Sequence, residues 1–449
     1  MDPQTDLSNL YAQHLKALDH YLADALARAA RAGLPLEGVF FHAGREATYH
    51  ADDHTIPFQS NAHFRRWAPP LAGPDHGVFV RPGEKPKVFR VRPLDFWFDT
   101  SPPPASHYEN AVDFTEVESF EEVPQALGPL SRVAFVGECR EAAATLGIAA
   151  ELVEPAALMF PLDWHRATKT DYEAALTRVA AASGGRGHAA ARDAFLAGGS
   201  EKECHWEFLR ATDSLEVELS FSTIMAIDAK SAILHYQNKR GREAGRGHSF
   251  LADAGTLYHG YASDITRTWT REDAHPTFRA LVAGVDALER RLVGMVRPGL
   301  PYAEIHLEAH RLVAALLVEL GILQVSAEAA VAERLTRVFF PHGVGHQLGL
   351  QVHDVAGHQA TPDGGKLPPP DEHVLRNTRT LEAGHLVTIE PGVYFIPMLL
   401  DPQRGGAAAA AFNWKLIDEL VPLGGVRIED DVFCTADGFE DLTRKFIEV

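Results

Sequence analysis

Cysteine is scarce: Cys139, Cys204 and Cys434 are the three in 449 residues, far apart and with no CxxC pair. That excludes a disulfide framework and a thiolate zinc site, and it fits a reducing compartment. Positive charge is in deficit. Lys and Arg number 42 against 61 Asp and Glu, for a net charge of −19. A surface of that sign repels phosphate backbones and anionic lipid, which argues against nucleic acid or a membrane surface as partner. No apolar run approaches the roughly 18 residues of a membrane span. The opening MDPQTDLSNLYAQHL is acidic and lacks the basic-then-apolar layout of a signal peptide. The expectation is a soluble, cytoplasmic protein.

What is present is enough chain for two or three domains with sizeable cores. Residues 5–32 carry Leu7, Leu10, Leu15, Leu18, Leu22 and Leu26 at helical spacing, which predicts an amphipathic helix. Apolar runs at Gly38–Phe41, Gly77–Val80, Val88–Val91 and Arg132–Val136 read as strands between turn clusters. Residues 1–162 therefore read as an α/β domain. Pro161-Leu162-Asp163 breaks the pattern, and a second domain is expected over 168–449. It opens with helices to about Ser214, becomes strand-rich around 222–270, helical at 275–296 and 303–336, then strand-rich to the end. Grouped rather than alternating elements favour α+β. GGKLPPPD (364–371) and RGGAAAAA (404–411) read as loops, the second also as a short helix.

Five segments of the second domain set acids and histidines on apparent strands. In SFLADAGTLYHGYASDITRTW, Gly255 and Gly260 bracket a hairpin that leads from Asp253 back through Asp264, eleven residues on. Adjacent carboxylates repel, so one is protonated unless a cation neutralises them. Read alone, the pair is equally a turn acid and an N-cap. FFPHGVGHQLGLQVHDVAGH packs His342, His346, His353 and His358 into seventeen residues with four glycines, which let backbone and ligand approach closely. LVTIEPGVYF ends an apolar strand at Glu390, and GGVRIEDDVF sets Glu429 inside a strand with Arg427 on the same face. An acid in an apolar strand needs a partner. An arginine would serve one of them; a metal site would serve all. AILHY puts His235 in a fifth strand, where a lone histidine is usually a satisfied core residue.

Four carboxylates carry about −4, which two divalent ions balance. Oxygen-rich ligation with one imidazole and no thiolate suits Mn²⁺, with Co²⁺ and Zn²⁺ as alternatives. Two ions about 3.5–4 Å apart can share a water, lower its pKa and polarise a carbonyl or phosphoryl oxygen.

The order Asp, Asp, His, Glu, Glu in the contexts LADAG, ASDITRTW, FFPHGVGHQLGLQVHDVAG, TIEPGVYFI and GGVRIEDDV resembles the pita-bread metallopeptidases, and among them the prolidases, which are Xaa-Pro dipeptidases. The resemblance covers most of residues 168–449 and extends more thinly into DDHTIPFQSN, RRWAPP and PLDFWF. It implies an α+β fold: a C-terminal pita-bread catalytic domain of the creatinase/aminopeptidase kind after a smaller N-terminal α/β domain. It implies that Asp253, Asp264, His346, Glu390 and Glu429 hold two divalent ions, with Asp264 and Glu429 bidentate or bridging. A metal-bridging hydroxide would attack the peptide carbonyl, Glu390 would shuttle the proton to the leaving nitrogen, and His353 would stabilise the tetrahedral intermediate. His235, His342, Arg376, Arg427 and Tyr302 match substrate-binding residues, Arg376 being the clamp for the proline carboxylate.

The implied reaction is release of free proline from a dipeptide. An Xaa-Pro bond is a tertiary amide whose leaving nitrogen must be protonated, so a general acid is required. A free carboxylate suits an arginine clamp. Relatives that also hydrolyse organophosphate triesters make that an expected side activity. One departure stands out: Phe221, in LEVELSFSTIMAIDAKSAILHY, occupies the neighbourhood where relatives carry a Tyr-Gly-Asn run, so a pocket hydroxyl is missing. Two other readings compete. One is aminopeptidase P-like cleavage of longer X-Pro peptides, against which LQVHDVAG and Met398-Leu399-Leu400 weigh. The other is a non-catalytic binding module, which would be expected to lose ligands. The resemblance also implies a homodimer, with Trp97 and, after it, Asp53 as candidate contacts to the other chain's site; Trp97 is equally read as a core aromatic.

Overall fold

The structure, a computed structural model, describes residues 6–99, 107–242, 246–370 and 374–449. The chain divides into two units, Met1–Ala175 with Ala360–Gly365, and Leu176–Gln359 with Lys366–Val449.

In the first unit, α1 (Leu7–Arg31) begins where the Asp6 carboxylate accepts the Asn9 N–H at 3.1 Å, a capping bond that satisfies one orphan donor. The leucine stripe buries Leu18, Leu22 and Leu26, joined by Tyr11, His14, Ala25 and Ala29. Then follow β1 (Gly38–His42), α2 (Ala62–Trp67), β2 (Gly77–Val80), β3 (Lys87–Val91), β4 (Asp113–Val117), α3 (Val123–Leu127), β5 (Val133–Val136), α4 (Arg140–Thr145) and α5 (Ala156–Ala167). The strands form one mixed sheet in the order β4-β3-β2-β1-β5. β1 pairs antiparallel with β2 and parallel with β5; β3 pairs antiparallel with β2 and parallel with β4. Four strands match the apolar runs. The fifth, β4, is a largely uncovered edge strand (DFTEV), so burial left no apolar stretch to read. One sheet face packs Phe40, Phe89 and Phe135 against Phe120, Val123, Ala142 and Leu146. The expected break at Pro161 does not occur: Pro161 is buried inside α5. It forfeits one helical donor, while burial of Leu158 and Leu162 on either side favours continuation.

The second unit contains most of α6 (Asp171–Leu196), then α7 (Glu201–Thr212), which opens with a Ser200/Glu203 capping box. β6 (Ile224–Ile227), β7 (Ser249–Ala254), β8 (Leu257–Tyr258), β9 (Tyr261–Ala262) and β10 (Ile265–Thr270) follow, then α8 (Pro276–Val293) and α9 (Tyr302–Glu319). The helix expected over 303–336 is three pieces, α9, α10 (Ala327–Ala332) and α11 (Thr336–Phe339). Gly321, at φ +69°, ends α9 in a left-handed turn, with Ile322 N–H bonded back to the Leu317 carbonyl. A hairpin, β11 (Gln359–Thr361) and β12 (Gly364–Lys366), whose residues 360–365 belong to the first unit, occupies the start of the stretch read as the GGKLPPPD loop; Asp371 of that stretch lies outside the described residues. β13 (Leu386–Ile389), β14 (Gly392–Tyr394), α12 (Pro397–Arg404), α13 (Trp414–Leu420), β15 (Gly425–Arg427), β16 (Asp430–Cys434) and β17 (Phe439–Asp441) complete the chain. The RGGAAAAA stretch begins at the end of α12 and contains a 3₁₀ turn at Ala409–Ala411.

β7 is the centre of a β10-β7-β6 sheet; β13-β16-β17 and β14-β15 are separate sheets. The main core packs Leu281, Val285 and Leu292 of α8 and Ile305, Val313 and Leu317 of α9 against Val387, Ile389, Val426 and Val432 of those sheets. Each such side chain contributes roughly 1.5–3 kcal/mol of burial. The helices thus press on the strands that lead into Glu390 and flank Glu429.

Candidate metal centre

Strand register brings the two aspartates together. Asp253 on β7 lies directly opposite Thr266 on β10, and Asp264 stands two residues before Thr266, so all three share a face. The hairpin between them requires glycine at 255, where a Cβ would lie 1.8 Å from the Ser263 carbonyl oxygen. Glu429 joins through an isolated bridge to Thr266: its N–H donates to the Thr266 carbonyl at 3.0 Å, and the Thr266 hydroxyl donates to Oε2 at 2.6 Å. Glu429 therefore stands between β15 and β16 rather than inside one strand.

His346 and Glu390 arrive from the other side. The histidine-rich segment is irregular, not a strand as read from sequence; its glycines favour open backbone, and it pairs with β13 through the isolated Gln347–Val387 bridge. His346 N–H donates to Thr388 Oγ1 at 3.2 Å, and Glu390 N–H to the Val344 carbonyl at 2.8 Å. His346 Nδ1 donates to the Gln347 carbonyl at 2.9 Å, which turns the Nε2 lone pair toward the acids. Nε2 lies 3.4 Å from Asp264 Oδ2 and 3.7 Å from Glu390 Oε1.

Asp264, His346 and Glu429, all buried, each offer a ligand atom within 4.8 Å of the others, and among the described residues this is the one such group of three. Burial drives the carboxyl pKa of Asp253, Asp264 and Glu429 up, and Glu390 up to about 7, with repulsion from neighbouring carboxylates adding to the rise at Asp264, Glu429 and Glu390. Asp253 Oδ1 is buried with no hydrogen-bond partner. An unpaired buried oxygen, four repelling acids and an imidazole lone pair facing carboxylate oxygens are what a divalent cation resolves, so the donor set fits.

Arg427 lies on the same floor. It donates to Asp253 Oδ2 at 2.5 Å, to Thr266 Oγ1 at 3.1 Å and to Tyr394 Oη at 2.8 Å. His342 Nδ1 must donate to the Gly343 carbonyl at 2.7 Å, so its Nε2 accepts from Tyr394 Oη at 2.9 Å. Burial, then the Arg427 charge, pushes His342 down to about 3, so it is neutral at pH 7. His353 stacks edge-on against His346, ring centroids 4.5 Å apart, with its other side open to solvent. Burial and the charges of His346, Arg376 and His235 hold its pKa near 3 as well. Arg376 is exposed. His235 is exposed on a turn, not in a strand: the strand is the preceding IMAI run, β6, and AILHY begins in the 3₁₀ turn after it. Tyr302 is fully buried and donates its hydroxyl to the Thr388 carbonyl at 2.6 Å. His358 leaves the cluster and bonds the Leu375 carbonyl. Trp97 is 77% exposed, which removes the core-aromatic reading; Asp53 is exposed too.

The sequence reading missed four supports. Thr266 joins Glu429 to Arg427, Tyr394 joins Arg427 to His342, and Thr388 seats His346. Asp431 accepts the Asp264 N–H at 3.2 Å. The signals were there: Thr266 is two residues after Asp264 on its face, and Asp431 two after Glu429 in IEDD.

Two family models match the chain: Metallopeptidase family M24 over residues 175–436, and Xaa-Pro dipeptidase, N-terminal domain, over residues 9–164. An Xaa-Pro dipeptidase of Xanthomonas campestris is 41% identical over 448 residues, 98% of each chain. One of Shewanella loihica is 38% identical over 441 residues, again 98% of each. A variant of Escherichia coli aminopeptidase P solved in complex with substrate has a TM-score of 0.73 at 23% identity over 97% of this chain and 96% of that one, a likeness of fold. Fold and site together define a pita-bread metallopeptidase, a hydrolase dependent on divalent metal. The chain belongs to metallopeptidase family M24 and, within it, to the bacterial Xaa-Pro dipeptidase group. Among the described residues no helix is long and apolar enough to cross a membrane.

Proposed function

We propose that this chain hydrolyses Xaa-Pro dipeptides to release free proline, with Asp253, Asp264, His346, Glu390 and Glu429 holding two divalent ions, Mn²⁺ ahead of Co²⁺ and Zn²⁺. The observation that carries the reading is the buried set of repelling carboxylates around His346 Nε2. The ions would supply a water of lowered pKa and would polarise the scissile carbonyl. The protein's own groups do the rest. Glu390, at the edge of the set and about one-fifth exposed, takes the proton from the attacking water and delivers it to the proline nitrogen. His353, neutral and open to the site, donates a hydrogen bond to the developing oxyanion. Arg376, exposed and close enough for its charge to act on His353, receives the proline carboxylate. His235 and His342 line the pocket, and Arg427 and Tyr302 shape it from below.

Residues 168–449 carry the chemistry in this reading, after an N-terminal domain over residues 1–162. The protein works as a homodimer, for which the exposed Phe96, Trp97 and Phe98 offer an apolar surface to a second copy. Three separated, buried free thiols favour the cytoplasm. The same centre can act on phosphotriesters as a side activity, since a nucleophile aimed at carbonyl carbon also reaches phosphorus.

The test is proline release from Ala-Pro and Leu-Pro by metal-stripped protein with Mn²⁺, Co²⁺ or Zn²⁺ restored, alongside Asp264→Asn. Metal-dependent release that the variant lacks supports the proposal and ranks the metals. Intact dipeptides with the metal-loaded wild type reject it. A proline-containing tripeptide and a phosphotriester in the same series separate aminopeptidase P-like cleavage and the side activity.

A further inference from the structure

We infer that Glu201 is a positioning residue: its buried carboxylate closes the loop 227–240 and thereby holds His235 at the site. The inference rests on the proposed reading that His235 meets the substrate.

Glu201 is 1% exposed in the first turn of α7, whose terminus is already capped by Ser200 and Glu203. Its carboxylate is therefore not needed as a cap. Both oxygens are instead filled by one loop. Oε1 accepts from Ile227 N–H at 3.0 Å and from Arg240 Nε and Nη2 at 3.2 and 2.8 Å. Oε2 accepts from Arg240 N–H at 2.6 Å and Tyr236 Oη at 2.8 Å. Ile227 and Arg240 are 13 residues apart, so one side chain ties the loop at its beginning and its end. It also ties Tyr236, the neighbour of His235.

That last bond sets the aim. His235 sits on a turn and has no strand register to direct it. Tyr236 is buried and fixed to Glu201, while His235 beside it is exposed. His235 is near enough for its charge to act on Asp253, His342 and His353. The other leg of the loop is held by Ser231, which bonds the Leu423 carbonyl and Gly425 N–H, four residues short of His235. With Glu201 removed, the loop keeps the Arg240 Nη2 bond to the Ile227 carbonyl at 3.1 Å, the Lys202 N–H bond to the Arg240 carbonyl at 3.2 Å and the Gln237–Ser222 contact at 3.3 Å, but Tyr236, left with the Asn238 carbonyl two residues on, loses its tie to α7. Glutamine at 201 would set amide donors against the Ile227 and Arg240 N–H groups, so charge and geometry are lost together.

The experiment uses the full-length, metal-loaded protein and four variants: Glu201→Gln, Tyr236→Phe, His235→Ala and the Glu201→Gln/His235→Ala double. Leu-Pro hydrolysis is expected to show KM raised about tenfold in Glu201→Gln with kcat held within about threefold. Tyr236→Phe, the milder change, moves the same way by less. In the His235→Ala background Glu201→Gln adds nothing further, because both act through one imidazole. Hydrogen exchange rises in residues 233–240 of Glu201→Gln and not in β7 or β13. Effects that multiply in the double variant, or a loop whose exchange is unchanged, overturn the inference. His235→Ala with wild-type kinetics rejects the substrate role of His235 instead, while the exchange result still reports whether Glu201 holds the loop. If Glu201→Gln does not fold, Tyr236→Phe and its His235→Ala double carry the same comparison.

Discussion

Arg427 and Asp253 form a buried ion pair, Nη2 to Oδ2 at 2.5 Å, with side chains 5% and 11% exposed. Arg427 is thus the counter-charge of an expected metal ligand. Breaking a buried pair by removing one partner costs about 3–5 kcal/mol, because the other charge is stranded. A bound divalent cation would relieve that stranding. Arg427→Met should therefore lower the unfolding midpoint strongly in metal-stripped protein and much less at saturating Mn²⁺. Thermal unfolding with and without metal measures the difference; equal losses would show that Arg427 does not balance Asp253.

Tyr302 should behave as a support rather than a contact. Its hydroxyl is spent on the Thr388 carbonyl, and Thr388 in turn holds the His346 backbone. Tyr302→Phe leaves that carbonyl buried and unpaired, a cost of about 1–3 kcal/mol. The expected result is reduced stability and weaker Mn²⁺ binding, with KM for dipeptides little changed. Denaturant unfolding, metal titration and steady-state kinetics together test this. A raised KM with unaltered stability would return Tyr302 to the substrate pocket.

Gly345 should not tolerate replacement. At φ +150° it packs so closely that a Cβ would lie 2.1 Å from the Thr388 carbonyl oxygen and 2.3 Å from Tyr302 Oη. Gly345→Ala must displace β13 or the turn that carries His346. Gly405, with nothing within 4 Å of its Cβ position and an ordinary φ, is the control. Gly345→Ala should abolish metal-dependent activity and most of the soluble yield, whereas Gly405→Ala should match wild type in both.

The acids of the candidate centre stood out because each interrupts an apolar run, and an acid in such a run needs a reason to be there. The same logic located four of the five strands of the first unit, since β1, β2 and β5 are buried throughout. It failed where burial and periodicity part company. The edge strand β4 carries polar residues because solvent covers it. His235 follows a short apolar run that is a turn, and five residues cannot separate the two by pattern. The histidine segment looked strand-like by composition, but its glycines leave it irregular. Thr388 seats the His346 backbone, and Tyr302 the Thr388 carbonyl, across long stretches of chain, and those two contacts are written in the tertiary structure alone.

Stability should also depend on pH through a carboxylate of the first unit. Glu173 is buried and bonded by Arg66 through Nε at 3.2 Å and Nη2 at 3.3 Å, and by the Thr170 N–H at 2.9 Å. Burial alone would raise its pKa, but the Arg66 charge, then His14 and the Thr170 N–H, overcome it and hold the carboxyl at about 2 against an ordinary 4.5. A depressed carboxylate pKa stabilises the fold fully above the unfolded value and loses that contribution as pH falls toward the folded one. The linkage amounts to about 3 kcal/mol, present above pH 4.5 and gone near pH 2. His14 shifts downward by burial and acts in the same direction, since the unfolded chain takes up its proton first as pH falls below 6.5. Glu173→Gln should therefore cost most at pH 7 and progressively less toward pH 3, flattening the acid limb of the stability curve. Urea unfolding of both proteins at pH 7, 5 and 3 measures it, and parallel curves would assign the acid limb to other groups.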